Sequence, residues 1–163
     1  MCKASVEGAV QLGMRALEGD GCADLVHHGL EDQAVCVMPL EHYAWWREEL
    51  QREQDTFPLG SFGDNFTVVG MTEEHVHVGD VWSIGSAEVV VTKPRHPCST
   101  LNKVWGRNDF AALMGRKGLT GWYLQVRKPG LVTAGDVIHL LHRDPQAPTI
   151  AAAWAAKRRK ANS

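Results

Sequence analysis

Short apolar runs, separated by turn signals at intervals of about ten residues, constrain the fold of this chain more than any other feature. The runs are rich in Val, Ile and Trp and are bounded by Gly, Pro, Asn or Asp, a pattern typical of short strands rather than long helices. The candidate strands are residues 34–37, 66–69, 81–84, 88–92, 122–127 and 137–142. Their density predicts a mainly β fold, a β-barrel or sandwich, with a few peripheral helices.

Three longer segments have the spacing and end signals of helices. In residues 39–54 apolar side chains recur at helical spacing, and Pro39 suits a first turn. Residues 108–118 begin at Asn108, a good N-cap, and end at Gly118, a good C-cap. Residues 149–160 are rich in alanine and end in cations, which the C-terminal end of the helix dipole prefers.

A Gly-Asp pair occurs twice directly before a candidate strand, ahead of Val81 and Val137. Aspartate side chains accept hydrogen bonds from nearby backbone amides and therefore favour turns. The two pairs, which contain Asp80 and Asp136, indicate a repeated corner of the sheet. We interpret them as a structural device rather than as a site.

The length and charge of the chain narrow the classes of function. With 163 residues it is expected to form one domain, residues 1–163. A net charge of −2 does not indicate nucleic-acid or membrane-surface binding, and we interpret the basic run at residues 157–160 as a solvated helix end. No apolar stretch approaches the roughly 20 residues of a membrane span, and no signal peptide is visible. We therefore expect a cytoplasmic protein, and the sequence is compatible with a homodimer.

Four cysteines, at positions 2, 22, 36 and 98, are widely spaced and form no C-x-x-C pair. In a reducing compartment they are expected to be free thiols. Cys36 lies in the apolar run AVCVM and is predicted to be buried in a strand. Cys98 differs from it, because it follows two prolines and two cations in the segment VVVTKPRHPC.

The prolines at positions 94 and 97 fix the backbone and remove two hydrogen-bond donors. We therefore expect the chain to leave the sheet there and to hold Cys98 at a strand exit, where loops carry function. The neighbouring Arg95 and His96 favour a thiolate, the form that attacks electrophiles and binds soft metals. On these local features a packed core thiol, a nucleophile, a metal ligand and a redox thiol all remain open.

Two glycine-rich segments contain polar side chains suited to face a ligand. The first, GDGCADLVHHG, ends in His27, His28 and Gly29, and adjacent histidines can bind an anion or a metal. The second, GSFGDNFTVVG, places Asp64 and Asn65 between glycines. A polar loop and a hairpin turn are the alternative interpretations. A zinc site that joins the two histidines to His96 and Cys98 is disfavoured, because the spacing matches no zinc signature.

These segments occur in a recognisable order. LEGDGCADLVHHG, GSFGDNFTVVGM, VGDVWSIGSAEVVVTKPRHPCSTLN and GLTGWYLQV together resemble MOSC domains, such as the C-terminal domain of molybdenum cofactor sulfurases. The resemblance is clearest over residues 6–141 and is strongest to the stand-alone bacterial branch associated with hydroxylaminopurine resistance. It implies a MOSC-type β-barrel with a cleft that holds a pterin-based molybdenum cofactor (molybdopterin). The chain starts late relative to the family, and we expect it to lack the first barrel strand.

The resemblance also implies which residues form the cleft. The motif cysteine of the family binds the metal, which makes Cys98 the expected metal ligand and catalytic residue. The expected cofactor-binding residues are His27, His28, Gly29, Phe62, Gly63, Asp64, Asn65, Arg95 and Asn102. Their chemistry suits a dianionic phosphate and a polar pterin, which need guanidinium, imidazole and backbone donors. Two positions depart from the family pattern, since Gln33 stands where a lysine is usual and Asp64 where many relatives have glutamate.

Relatives in this family reduce N-hydroxylated compounds such as hydroxylaminopurines and amidoximes, a detoxification reaction. The resemblance therefore implies a molybdenum-dependent oxidoreductase acting on a small N-hydroxylated substrate. The sequence has no flavin or iron–sulfur motif, so we expect electrons to come from a separate reductase. The alternatives are a sulfur-carrier or cofactor-delivery module that uses a Cys98 persulfide, and a binding barrel without chemistry.

Overall fold

The computed structural model describes residues 3–20 and 30–161 of the chain. In chain order the elements are β1 (Ala9–Leu12), a 3-10 turn (Glu31–Gln33), β2 (Val35–Pro39), α1 (Leu40–Leu50), β3 (Phe66–Val68), β4 (Val81–Ile84), β5 (Ala87–Pro94), α2 (Thr100–Trp105), α3 (Phe110–Lys117), β6 (Trp122–Lys128), β7 (Gly130–Thr133), β8 (Ile138–His142) and α4 (Ile150–Ala161). The predicted fold class, mainly β with peripheral helices, is confirmed.

Six strands form one curled, half-barrel sheet in the order β3-β2-β6-β5-β4-β8. β2 and β3 run parallel, and the other neighbours in this sheet are antiparallel. β1 and β7 form a separate antiparallel ribbon. β5 and β6 are the two central strands of the sheet. The segment that carries Cys98 follows β5 and therefore leaves the sheet from a central strand.

Alternate side chains of the strands enter two different cores, as the two-residue repeat of a strand requires. The core on one face of the sheet includes Val35, Val37, Val89, Val91, Trp122, Leu124 and Val126. The second core lies under the helices and includes Met38, Tyr43, Trp46, Phe57, Phe62, Leu101, Phe110 and Met114. Trp46 of α1 stacks on Phe110 of α3 with ring centroids 4.1 Å apart, which joins these two helices.

All six predicted strands and all three predicted helices are present, with ends that differ by a few residues. The sequence did not predict β1, β7 or the short helix α2. The proposed N-cap Asn108 is wrong, because α3 begins after Asp109. The Asn102 side chain accepts a hydrogen bond from the Ala111 amide (2.8 Å), and this bond satisfies one of the amides in the first turn of α3.

The predicted exit from the sheet at the segment with the two prolines is confirmed, because β5 ends at Pro94. Pro94 still pairs with Trp122 of β6, and the Arg95 amide donates to the Gly121 carbonyl oxygen (3.1 Å). Pro94 is tolerated because β4 ends its pairing with β5 at Val90, so the ladder here has a neighbour on one side only. The chain therefore turns away between Arg95 and Cys98.

The repeated Gly-Asp corner is confirmed. The Asp80 carboxylate accepts a hydrogen bond from the His77 amide (3.0 Å), while the Asp80 amide donates to the His77 carbonyl oxygen (3.1 Å). Asp136 makes the same pair of bonds with Thr133, at 2.8 and 3.0 Å. Two side-chain-stabilised turns of one design thus precede the strands β4 and β8.

A buried pair, His42 and Glu73, joins the helices to the sheet. The Nε2–H of His42 donates to the Glu73 carboxylate, 2.8 Å from Oε2 and 3.0 Å from Oε1. The same carboxylate accepts from the Gly121 amide (2.7 Å), and the Glu73 carbonyl oxygen accepts from the Ala151 amide (2.9 Å). Gly121 has φ +68°, and a Cβ there would collide with the Val37 carbonyl oxygen. Only glycine therefore suits this turn, which precedes β6.

The last helix, α4, packs on α3 through Trp154. The indole Nε1–H of Trp154 donates to the Gly115 carbonyl oxygen (2.8 Å), and a side chain at Gly115 would crowd the same indole ring. Within residues 3–20 and 30–161, no helix combines the length and the apolar character needed to cross a bilayer.

Candidate functional site

Cys98 lies on the connection between β5 and α2, with its thiol half-buried. Pro97 before it is buried, which fixes the backbone that carries the sulfur. The thiol donates to Thr100 Oγ1 (3.2 Å), and the Thr100 amide donates to the sulfur (3.5 Å). The sulfur is therefore held in one orientation yet keeps solvent access, as a metal-binding or nucleophilic thiol requires.

Arg95 supplies a buried positive charge three residues before Cys98. The residue is 5% exposed, and its guanidinium donates from Nη2 to the Phe62 carbonyl oxygen (2.5 Å). Burial alone would lower the pKa of Arg95, but the neighbouring Cys36, Tyr123 and Asp64 outweigh it and raise that pKa, so the cation is retained. Nη1 is also buried and has no hydrogen-bond partner among the described residues. A buried donor without a partner is costly, which marks this nitrogen as a position for an anionic or polar ligand.

Tyr123 and Cys36 lie beside this guanidinium. They are paired across β2 and β6, so both side chains leave the sheet on the face that carries the helical layer. Burial, only partly offset by Arg95, raises the pKa of the Cys36 thiol. The thiol therefore stays protonated and adds no charge to the site. Burial also raises the pKa of Tyr123 to about 12, and Cys36 and Cys98 contribute to the same shift. Tyr123 therefore presents a neutral phenol that interacts with both the Arg95 cation and Cys98.

The two tyrosines of this chain should titrate abnormally late. Burial raises the pKa of Tyr123 to about 12, and burial together with the Asp64 carboxylate raises the pKa of Tyr43 further. Unfolded tyrosines ionise near pH ~10. The folded state therefore holds protons that the unfolded state loses above that pH, and the free energy of unfolding should fall as the pH rises from about 10 to about 12.

Tyrosinate absorbance after a rapid pH jump, recorded before unfolding, checks this expectation. The folded protein should show no step near pH ~10, and Tyr123→Phe should remove the step expected near about 12. Denatured protein is the control and should titrate normally. A normal tyrosinate step in the folded protein would show that Tyr123 is not enclosed as described.

The FGDN loop holds its polar side chains in a fixed network. Asp64 is 3% exposed and accepts from the Tyr43 hydroxyl (2.7 Å) and the Thr67 hydroxyl (2.7 Å). Asn65 accepts from the Cys36 amide (2.9 Å) and donates to the Asp20 carboxylate (2.5 Å). The Asn65 bond to Cys36 links this loop directly to the strand beside Tyr123 and Arg95.

The same loop borders a cleft of about 560 Å³. Asp64 and Asn65 line it together with the N-terminal segment, β3 and the turn after β7. Its wall combines apolar side chains, such as Val68 and Ile138, with Lys3 and Asp20, which form an ion pair of 2.6 Å. The volume is within the range of small-molecule sites, roughly 300–1,000 Å³.

The structure brings several of the predicted site residues together. Asp64 contributes to the electrostatic environment of Arg95, and Cys98 to that of Tyr123, which itself adjoins Arg95. Phe62 reaches the site only through its carbonyl oxygen, because its ring is fully buried in the second core. Gly63 has φ +77°, which sets the turn between Phe62 and Asp64. His27, His28 and Gly29 lie outside the described residues.

Asn102 makes contacts of a structural kind. Its Nδ2 donates to the Asn108 carbonyl oxygen (2.7 Å) and its Oδ1 accepts from the Ala111 amide (2.8 Å), which ties α2 to α3. Its assignment to the cofactor cleft stays a prediction. The sequence reasoning missed Tyr123 and Cys36 as site residues. The alternation in WYLQV could have indicated Tyr123, since Trp122 and Leu124 face the first core and Tyr123 must face the other way.

His96 does not share the environment of Cys98. Its ring meets the Trp154 ring at a centroid distance of 5.8 Å and an interplanar angle of 73°, on the side of α4. Within the described part of the chain, no three His, Cys, Asp or Glu side chains are grouped as a metal site.

Comparisons with known proteins agree with this fold. The model of the MOSC domain matches residues 24–139. The chain is 44% identical to the uncharacterized protein YflK of Bacillus subtilis over 143 residues, 86% of this chain and 62% of that protein. It is 37% identical to the protein YiiM of Escherichia coli over 88% of this chain and 64% of that protein. The crystal structure of YiiM from Escherichia coli superposes with a TM-score of 0.82, covering 94% of this chain and 71% of that one.

A third relative carries a name that indicates an activity. A protein of Gibberella moniliformis named "Reductase" is 35% identical over 140 residues, 84% of this chain but 24% of that much longer protein. The chain thus spans somewhat less than two thirds of YflK and YiiM and about a quarter of the reductase.

Proposed function

The chain belongs to the MOSC domain family, and from that membership we propose that it is an oxidoreductase domain that reduces N-hydroxylated compounds with a molybdenum cofactor bound through Cys98. The family is associated with this cofactor. The single observation that carries the proposal is that one segment holds a half-exposed, oriented Cys98 thiol and, three residues before it, a buried Arg95 whose Nη1 has no partner among the described residues. A relative named a reductase supports the type of reaction.

The residues present fit the cofactor. A thiolate is a suitable ligand for a thiophilic metal, and the rigid segment around Cys98 fixes the direction of its sulfur. Arg95 offers a guanidinium donor, at Nη1, that matches a phosphate or a pterin carbonyl group. The cleft bordered by Asp64 and Asn65 has both apolar and polar walls and a volume within the range of small-molecule sites, and its lining includes neither Arg95 nor Cys98.

The reaction removes the oxygen of an N-hydroxyl group. The N–O bond breaks, the substrate accepts two electrons and two protons, and the oxygen leaves as water. The cofactor supplies a two-electron redox centre that exchanges oxygen. The proposal includes a separate reductase as the source of the two electrons.

The protein residues bind and orient the reactants. Arg95 holds a permanent positive charge in a buried position, where it interacts strongly with an anion. Tyr123 stays neutral through physiological pH and can therefore donate a hydrogen bond to the hydroxyl oxygen of the substrate. Asp64, fixed by Tyr43 and Thr67, is an acceptor at the wall of the cleft.

Metal analysis of the protein made in a molybdopterin-competent host tests this proposal. We expect molybdenum and the fluorescence of an oxidised pterin in the purified protein, together with reduction of a hydroxylaminopurine by reduced methyl viologen. Protein without metal and without pterin would overturn the proposal. If incubation with a cysteine desulfurase instead adds one sulfur atom to Cys98, as judged by mass spectrometry, the domain is a sulfur carrier.

A further inference from the structure

The cleft of about 560 Å³ beside Asp64 has a strongly negative lining. Four acidic residues line it, and Lys3 is the only basic residue among the described residues that do; the acidic residues are Glu18, Asp20, Asp64 and Asp136. The lining therefore has a formal charge of −3, whereas the whole chain has a net charge of only −2. Since Lys3 pairs with Asp20 at 2.6 Å, three carboxylates from three separate segments have no basic partner within the lining. We call this cavity the Asp64 cleft.

Asp64 is the buried member of this set, and its partners do not cancel its charge. It is 3% exposed, whereas Glu18 is exposed. Its two carboxylate oxygens each accept one hydrogen bond, from the Tyr43 hydroxyl and the Thr67 hydroxyl, both at 2.7 Å. A carboxylate has about four acceptor positions, so these two bonds leave capacity for another donor. A negative charge away from bulk water attracts a cation more strongly than an exposed one does.

The segment that follows Asp20 adds no lysine or arginine to this charge balance. Residues 21–29 lie outside the described part of the chain, and their sequence, GCADLVHHG, contains Asp24 and neither Lys nor Arg. Unperturbed histidines are mostly neutral above pH ~7. The excess of negative charge around the cleft therefore does not depend on how these nine residues are placed.

The rest of the lining is apolar and indicates what kind of cation fits. Aliphatic side chains from four elements or turns contribute to it, among them Val10, Leu17, Val68 and Ile138. Within residues 3–20 and 30–161, no three His, Cys, Asp or Glu side chains are grouped as a metal site. A bare metal ion would use neither the apolar wall nor the scattered carboxylates. An organic cation with an apolar body uses both, and an anion is repelled by the field of the cleft.

We propose that the Asp64 cleft is a binding site for a small organic cation, a protonated amine on an apolar body about the size of one aromatic ring. The ammonium group is attracted to the buried Asp64 carboxylate, and the body packs against Val68 and Ile138. The inference does not rest on the proposed function, because neither Arg95 nor Cys98 lines the cleft. It also separates the two charges in space: a dianionic phosphate is left to the Arg95 guanidinium, and the cleft is left to a cation.

Two probes with one body and opposite charges test this site. Phenethylamine and 3-phenylpropionate both carry a phenylethyl group, one with an ammonium and the other with a carboxylate. We expect phenethylamine to bind at least about 10-fold more tightly at pH ~7, and more weakly at physiological than at low salt. Protein NMR titration measures both affinities and shows the location, since the methyl signals of Val68 and Ile138 should shift with phenethylamine.

The test variant is Glu18→Gln/Asp136→Asn, which removes two of the charges and leaves Asp64 in place. Its fold should persist, because Glu18 is exposed and asparagine can still accept from the Thr133 amide, as Asp136 does at 2.8 Å. The control is Glu53→Gln/Asp55→Asn, the same change at exposed positions outside the cleft. We expect the test variant to bind phenethylamine about 10-fold more weakly and the control to bind it like the wild type.

The site is overturned if phenethylamine gives no saturable shifts, if 3-phenylpropionate binds as tightly, if the control weakens as much as the test variant, or if the shifts lie away from the cleft. Cys98→Ser separates this inference from the proposed function. It should bind phenethylamine like the wild type, because Cys98 does not line the cleft. Charge-dependent amine binding by a wild-type protein that never contains molybdenum or pterin would leave the cation site standing and reject the proposed reaction.

Discussion

Substitution of Cys98 by serine is expected to give a protein that folds normally but purifies without molybdenum. A hydroxyl is a poor ligand for a thiophilic metal. Loss of a residue behind a metal ligand already costs roughly 10–100-fold in affinity, so loss of the ligand itself should cost more. The fold should be unaffected, because the hydrogen bonds that the structure describes for the half-exposed thiol are those with Thr100, which serine can also make. We expect a change of no more than about 0.5 kcal/mol in the free energy of unfolding.

Molybdenum content by elemental analysis and the thermal transition by circular dichroism measure the two sides of this prediction. Cys36→Ala is the matched control, because it removes the other described thiol, which is buried and carries a raised pKa. That variant should lose some stability through a small cavity and keep its molybdenum. If Cys98→Ser retains as much molybdenum as the wild type, another residue is the ligand.

The largest expected effect on stability comes from Glu73→Ala. The substitution leaves the His42 ring and the Gly121 amide buried without their acceptor. Breaking a buried pair of this type costs about 3–5 kcal/mol, because the remaining groups lose both their partner and their hydration. Urea unfolding followed by tryptophan fluorescence measures the loss.

Glu74→Ala makes the same chemical change one residue further on, at an exposed position. It should alter the free energy of unfolding by no more than about 0.5 kcal/mol. Glu73→Gln is a second test, since it keeps an acceptor for Gly121 while weakening the bond to His42. Its stability should lie between those of the wild type and Glu73→Ala. Equal losses in Glu73→Ala and Glu74→Ala would mean that the buried contacts contribute nothing.

The strands that the sequence predicted are those whose signal is local. Residues 81–84 and 122–127 combine β-branched or aromatic residues with clear turns on both sides, and they appear with little change. β1 and β7 are four residues each and are strands only because they pair with each other, across more than 100 positions of sequence. A pattern within four residues cannot indicate a pairing partner that lies so far away in the sequence. α2 was missed for a related reason, since its six residues are held by Leu101 in the second core rather than by a helical repeat.

The candidate site likewise has parts that the sequence could predict and parts that depend on packing. The motif around Cys98 and the FGDN loop are visible in the sequence, because prolines and glycines mark places where backbone conformation is constrained. Within the part of the chain that the structure describes, the Phe62 carbonyl oxygen accepts from Arg95 Nη2 and Nη1 has no hydrogen-bond partner, an arrangement that only packing decides. Tyr123 enters the site through the register of β2 against β6. A shift of one residue in that register would turn its phenol into the first core.

The turn at Gly121 has a consequence for how this molecule opens. Its amide hydrogen goes to Glu73 and its carbonyl oxygen receives the Arg95 amide, while the Glu73 carbonyl oxygen receives the Ala151 amide at the start of α4. The amide hydrogens of Arg95, Gly121 and Ala151 are thus all bonded within one connected set of contacts. These amides can exchange with solvent only when the turn at Gly121 unfolds. The turn is bonded on one side to the end of β5 and on the other to the residues that contact the helices. Hydrogen exchange at Arg95, Gly121 and Ala151 should therefore occur with one common free energy, that of global unfolding, so the strand that leads to Cys98 does not fray independently of the body of the protein.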